Sequence, residues 1–288
     1  AMRDIAEAMF GIQAGSGKLS VLDPTCGSGR LLVPFAELGH KVVGIELDER
    51  IATVAKRAIG TENVRTGDIL AYAPHLQGHN LDLIVTNPPY GLWWPVEKGY
   101  ELGKETIESQ CAVLEICTKA ISYRGLLIGV FSGDFWKTTP RALNYLKKGY
   151  QVVAIARLVK PFKKEYGIEV DATFVVALAG SNLSNRLKPP EIAPLTSPAS
   201  PKEEKAIQDQ LVKAVLDNWQ AIIQQENNQH KSSHYSYTDY LTPYAYGNDP
   251  AIPNLEMTVA VDTSTLSLNL TGHGIAPANA WSRAWWQF

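Results

Sequence analysis

Between residues 18 and 180, short β-branched runs alternate with longer stretches of helical spacing, and few folds accommodate that alternation. Strands joined by helical crossovers pair in parallel, and the crossover helices then cover both faces of the sheet. Strands are expected at residues 19–22, 41–45, 63–66, 81–86, 125–131, 152–158 and 172–178. A short segment containing Lys and Gly separates the last two, which predicts an antiparallel hairpin at the sheet edge. Helices fill the intervals, notably 29–38, 49–58 and 107–122. The expectation is an α/β fold: a seven-stranded, mostly parallel sheet with an antiparallel edge hairpin, followed by a small C-terminal extension.

Composition sets the boundaries of that domain. The chain has 288 residues, 45% hydrophobic and 19% charged, which is ordinary for a globular protein able to bury a core. It has no apolar run of about 18 or more residues and no charged-then-apolar leader, so a cytoplasmic protein without a membrane span is expected. Cys26, Cys111 and Cys117 lack the CxxC pairing of a zinc site and are odd in number, so they read as reduced thiols, and no metal is expected. After Gly180 the composition shifts to Ser, Pro and Asn, and 181–201 reads as a linker. An amphipathic helix is expected over 202–224, a polar Tyr-containing stretch over 225–250, and a strand pair in MTVAVDTSTLSLNL before a Trp-rich end. This divides the chain into a catalytic domain at 1–180, the linker, and an extension at 202–288 of unassigned role. The net charge is −2, and the residues after Gly180 hold 7 Lys/Arg against 10 Asp/Glu, so the tail is no basic arm and any polynucleotide site must be a local patch.

The first strand runs from LSVLD into PTCGSGR, placing Gly27 and Gly29 at a strand-to-helix turn where missing side chains let a ligand reach the backbone. Such a turn alone is equally an ordinary αβ connection. The next strand, KVVGIELD, ends in Glu46, about 20 residues beyond the glycines, where doubly wound folds place a carboxylate for ribose hydroxyls. Asp68 in TGDIL follows the third strand and suits an adenine amino group, or simply caps the next helix. Three successive strand ends thus point to one crevice at the carboxyl edge of the sheet.

DPTCGSGRLLVPFA resembles the first motif of class I methyltransferases, specifically the amino-methylating DNA methyltransferases, whose sheet is Rossmann-like with seven strands. The resemblance covers roughly residues 3–180. It implies S-adenosylmethionine as cofactor, with Asp23 and the Gly27–Gly29 backbone at its methionine end, Glu46 at its ribose and Asp68 at its adenine. Thr25, Cys26, Leu47, Ile69 and Asn87 complete the implied cofactor set. The helix expected in RDIAEAMF matches one that covers the methionine group in that family. The Thr-Pro pair that normally precedes it is absent, which leaves a trimmed chain or a more open pocket.

The fourth strand, LDLIVT, ends in Asn87-Pro88-Pro89-Tyr90. An aromatic amine is a poor nucleophile because its lone pair is delocalised into the ring. Two acceptors, the Asn87 side-chain oxygen and the Pro88 carbonyl, suit both amine hydrogens and favour a pyramidal nitrogen facing the methyl donor. Consecutive prolines pre-aim those acceptors, and Tyr90 offers a face for a base to stack on. In a duplex that amine is out of reach unless the base is flipped. RLVKPFKKEYGIEVDATFVVAL resembles the adenine-methyltransferase segment whose aromatic residue packs on the flipped base, with Phe162 in that position. Lys160, Lys163 and Lys164 beside it suit phosphates, or keep an exposed loop soluble. Residues 92–104, with Trp93 and Trp94, read either as a loop that closes over substrate or as a structural one.

The resemblance therefore implies transfer of a methyl group to adenine N6 in DNA, with a specificity subunit or further domains as possible partners. NPPY also occurs in RNA guanine-N2 and protein-glutamine methyltransferases. A noncatalytic scaffold in a restriction or defence assembly is a further alternative. Restriction-modification is a biological setting in keeping with the resemblance, with evasion of restriction and regulation left open beside it.

Overall fold

The computed structural model describes residues 1–11, 18–79, 81–96, 99–163, 167–180, 192–196, 200–229, 257–262 and 267–272. Its centre is an eight-stranded sheet. β1 (Ser20–Asp23), β2 (Lys41–Glu46), β3 (Val64–Thr66), β4 (Leu81–Thr86) and β7 (Ile121–Ser132) run parallel to one another. β9 (Ala172–Ala179) is antiparallel to β7 and to β8 (Tyr150–Val159), and lies between them. The strand order is β10-β8-β9-β7-β4-β1-β2-β3, with β10 (Ile192–Thr196) parallel to β8. The antiparallel hairpin is present, but β10, within the expected linker, covers its outer side and raises the strand count from seven to eight. Among the described residues of that Pro- and Ser-rich segment, Ile192 and Leu195 are buried, with a register shift between them, so β10 carries little strand periodicity.

Alternation along the strands sends side chains to two cores, one on each face. Val21, Leu83, Val85, Leu126 and Ile128 face one side, packed by α1 (Met2–Phe10), α3 (Glu49–Ile59) and α8 (Pro201–Gln229). Leu22, Ile84 and Leu127 face the other, packed by α4 (Ile69–Leu76), α5 (Ser109–Ala120) and α7 (Pro140–Gly149). α1 ends at Gly11, whose φ of 63° closes the last turn with N–H groups returned to the helix carbonyls. The helix expected over 29–38 is reduced to α2 (Val33–Ala36): Gly29 holds a φ of 81° and Pro34 can start a helix but not continue one. α6 (Phe135–Thr138) is a single turn after β7.

Beyond Gly180, α8 does not stand apart from the sheet. Leu211, Val215, Trp219 and Ile222 are buried in the same cluster as Ile5 and Met9 of α1, and the Asn218 side-chain amide donates to the Val153 carbonyl at 3.2 Å. The strand pair expected in the tail forms as β11 (Met257–Asp262) against β12 (Ser267–Gly272), in antiparallel register. The three cysteines are free and buried. No helix among the described residues is long and apolar enough to cross a membrane.

Candidate active site

The glycine turn after β1 is fixed by its close approach to β2. The Cys26 N–H donates to the Ile45 carbonyl at 2.9 Å, and a Cβ on Gly44 would sit 2.6 Å from Cys26 Sγ. Gly44 is therefore what lets the turn lie across the second strand. Gly27 has a φ of 54° and open space where a Cβ would be, so its backbone faces the crevice without obstruction.

Around that turn the structure gathers two of the three expected acids. Asp23 is buried at the end of β1 and accepts from the Thr25 N–H at 3.1 Å. Burial pushes its carboxyl up to about 7, opposed by the Thr25 hydrogen bond and reinforced by the Glu46 charge. Glu46 accepts from the Gly27 N–H and from the Asp48 N–H, each at 2.9 Å, so its carboxylate folds onto the glycine turn. Leu47 beside it is 71% exposed, an apolar surface at the mouth of the crevice. Burial pushes the Cys26 thiol up to about 12, which keeps it an unreactive packing group. Asp68 lies one strand further out, exposed, where it is the N-cap of α4 and accepts from the Leu70 N–H at 2.9 Å. Ile69 after it is buried.

β4 lies next to β1, with Leu22 opposite Ile84, so their ends share one rim, and the Thr25 and Thr86 hydroxyls approach to 3.5 Å. Asn87 follows at that rim and is exposed. Its Oδ1 accepts from the Tyr90 hydroxyl at 2.8 Å, and the same hydroxyl is 3.4 Å from the Val130 carbonyl. Burial holds the Tyr90 phenol above its usual range, so it remains a protonated donor. A carbonyl oxygen has two lone pairs, and the Tyr90 bond leaves one on Asn87 for a substrate.

Residues that the sequence reading did not single out hold this turn from below. The Ser109 hydroxyl donates to the Pro89 carbonyl at 2.6 Å, and the Gly91 N–H donates to Glu108 Oε1 at 3.2 Å. Gln110 accepts from the Ser132 N–H at 2.7 Å and donates to Glu108 at 3.0 Å. Residues 107–122 were expected as one helix, whereas α5 begins at Ser109 with Glu108 as its N-cap. A Glu at a helix entry, where shorter acceptors are the usual caps, was the available signal.

The segment between β8 and β9 returns to the same rim, because β8 is parallel to β7 and β9 begins opposite the end of β7. Phe162 sits there, half-buried. The expected lysines are not free cations: Lys160 pairs with Glu169 at 2.7 Å and Lys163 with the same carboxylate at 2.6 Å. Those two ammonium groups pull Glu169 down to about 2. Lys164 lies outside the described residues. The expected loop at 92–104 begins with a short strand, β5 (Trp93–Pro95), which pairs antiparallel with β6 (Thr106–Glu108) just beyond the loop's end; Trp93 is 68% exposed and Trp94 packs inward.

Residues 22–88, spanning the glycine turn and reaching into the NPPY motif, match the family model described as a methyltransferase domain. A class I S-adenosylmethionine-dependent methyltransferase structure from Listeria monocytogenes superposes with a TM-score of 0.55 at 18% identity, over 73% of this chain and 69% of that one. The chain has the fold of the class I methyltransferases. A type I restriction-modification methyltransferase subunit from Streptococcus thermophilus superposes with a TM-score of 0.56 at 20% identity, over 75% of this chain and 51% of that one. In sequence, a tRNA (guanine(10)-N2)-dimethyltransferase of Pyrococcus abyssi is 32% identical over 138 residues, 46% of this chain and 38% of that protein. The chain spans between 37% and 51% of the length of the curated relatives it matches.

The methyltransferase domain and the class I fold imply S-adenosylmethionine as the cofactor. The residues present fit it. A glycine turn with no side chain over it, a buried acid and a second carboxylate at the next strand end supply space and acceptors for a cationic amino acid joined to a nucleoside, and the exposed leucine supplies an apolar face.

Proposed function

We propose that this crevice transfers the cofactor's methyl group to the exocyclic N6 amine of an adenine flipped out of DNA. The observation that carries the reading is Asn87: an exposed amide at the end of β4, on the rim shared with the glycine turn, its oxygen held by Tyr90 with one lone pair still open. When bound, S-adenosylmethionine supplies an electrophilic methyl on a sulfonium. The chain's part is to make the amine receptive. Asn87 Oδ1 and the Pro88 carbonyl accept its two hydrogens, which draws the nitrogen lone pair out of conjugation. Tyr90 and Phe162 supply faces against which the extruded base stacks. No group with a tuned pKa is required to take the departing proton, which passes to solvent.

Asn rather than Ser at the first motif position favours adenine over cytosine, and the likeness in fold to a restriction-modification methyltransferase subunit supports a DNA role. Target choice then belongs to a specificity subunit or to further domains. A second reading, guanine N2 in RNA, is supported by the tRNA (guanine(10)-N2)-dimethyltransferases among the sequence relatives.

Labelled cofactor incubated with DNA, tRNA and protein, followed by digestion to nucleosides, separates these readings. Label in N6-methyladenine is expected; label confined to RNA guanine replaces the DNA reading with the second one. Asn87→Ala should lower turnover by roughly two orders of magnitude or more while cofactor binding persists. Cofactor binding without transfer to any pool would instead mark the chain as a scaffold.

A further inference from the structure

Glu108 is an unusual choice where it stands. It is the N-cap of α5, accepting from the Gln110 N–H at 2.9 Å and the Cys111 N–H at 3.1 Å through Oε2. Ser, Thr, Asp and Asn do that job with fewer torsions to freeze. The longer side chain is used by its second oxygen. Oε1 accepts from the Gly91 N–H, one residue beyond the NPPY turn, at 3.2 Å, and from Gln110 Nε2 at 3.0 Å.

Gln110 is buried, and it carries the connection on to the end of β7. Its Oε1 accepts from the Ser132 N–H at 2.7 Å and its Nε2 lies 3.2 Å from Ser132 Oγ. Ser109, between them and fully buried, donates its hydroxyl to the Pro89 carbonyl at 2.6 Å. At one helix entry, Ser109 and Glu108 thus grip the turn at Pro89 and Gly91, and Gln110 ties Glu108 to the neighbouring strand. Burying this many polar groups at one point is costly unless each is satisfied, and each is satisfied by the turn, the helix or β7.

We infer that Glu108, working with Ser109 and Gln110, is a positioning residue that sets the direction of the Asn87 and Pro88 acceptors toward the amine. The inference rests on the amine-transfer reading but not on which polymer carries the amine. The buckle bonds the backbone on the C-terminal side of the two acceptors, so loosening it changes their aim without removing either. Misaiming of that kind lowers turnover of bound substrate more than it lowers binding.

Glu108→Asp is the discriminating variant. Asp retains the charge and is a better helix cap, but one methylene less takes its carboxylate out of reach of Gly91. The expected result is a kcat lower by about tenfold or more on whichever acceptor the wild type labels, with cofactor Kd and Tm within error of wild type. Amide exchange should become faster at Gly91 and stay unchanged at Cys111. Ser109→Ala should lower kcat likewise, and the double variant should lose less than the product of the two single losses, since both act on one turn. An unchanged kcat for Glu108→Asp, or unchanged exchange at Gly91, overturns the inference. So does a kcat loss that only tracks a loss of Tm. Failure of the DNA reading shows separately, in the wild type, as label in RNA or protein, and the same variants are then compared on that acceptor. If no pool takes label, the exchange measurement still decides whether Glu108 holds the turn.

Discussion

Asp23 is a carboxylic acid sealed into the end of β1, and its proton responds to pH before any ligand arrives. In the unfolded chain it ionises near 3.8, whereas in the folded protein it does so near 7. Between those values the folded state holds a proton that the unfolded state has released, so stability falls as pH rises from about 4 to about 7, by at most roughly 1.4 kcal/mol per unit. The Tm of the ligand-free protein should decline over that window, and Asp23→Asn should remove that part of the decline. Cofactor affinity should move the other way, rising through pH 7 as the acid ionises to meet a cationic amino group. A calorimetric titration in which wild type and Asp23→Asn share one flat pH profile would remove Asp23 from the binding role. At this scale the sequence exposed the candidate site residues, because Asp23, Glu46 and Asn87 each close an expected strand. Their contacts were hidden. Nothing near Glu46 announces that it folds onto Gly27, or near Lys160 and Lys163 that they share Glu169, because such pairings are made by tertiary structure rather than by neighbours in sequence.

Among the elements, the central strands were the most legible, since β4 and β9 are buried on both faces and read as nearly continuous apolar runs. Helix starts were less so: the stretch after Gly29 has helical spacing, yet its backbone remains in turns until Val33. β10 escaped notice because a five-residue strand with two buried side chains leaves almost no pattern. The packing of the glycine turn on β2 yields a prediction at this level. Gly44→Ala would force a methyl group against Cys26 Sγ, and overpacking of that kind costs about 1–3 kcal/mol. Thermal melts should show a Tm lower by several degrees, with a weaker cofactor Kd because the displaced turn carries the ligand-facing backbone. An unaltered melt would mean that the turn moves aside freely and that its seat on β2 is not what shapes the crevice.

In the molecule as a whole, the composition break after Gly180 suggested a boundary, and the packing runs across it. We read α8 as part of the catalytic unit, because Leu211, Val215, Trp219 and Ile222 complete a core shared with α1 and the sheet. Trp219→Ala should then cost about 3–5 kcal/mol and lower the single Tm of the catalytic domain, and a chain ending at Gly180 should be poorly soluble. Were α8 an independent appendage, the tryptophan variant would leave the principal transition where it is. The amphipathic pattern of α8 was visible in the sequence; its partner was not, since a helical stripe records that it is covered but not by what.

One strand of the sheet runs against the others, and β9 thereby brings the chain back to the rim that β8 has just reached. The bend joins two strands that are already paired with each other along their length, so their register does not depend on it alone. On the proposed reading, in which Phe162 of that bend packs on the acceptor base, a change of bend would alter the fit of the base and leave the Asn87 end of β4 as it is, whatever else in an assembly chooses the target.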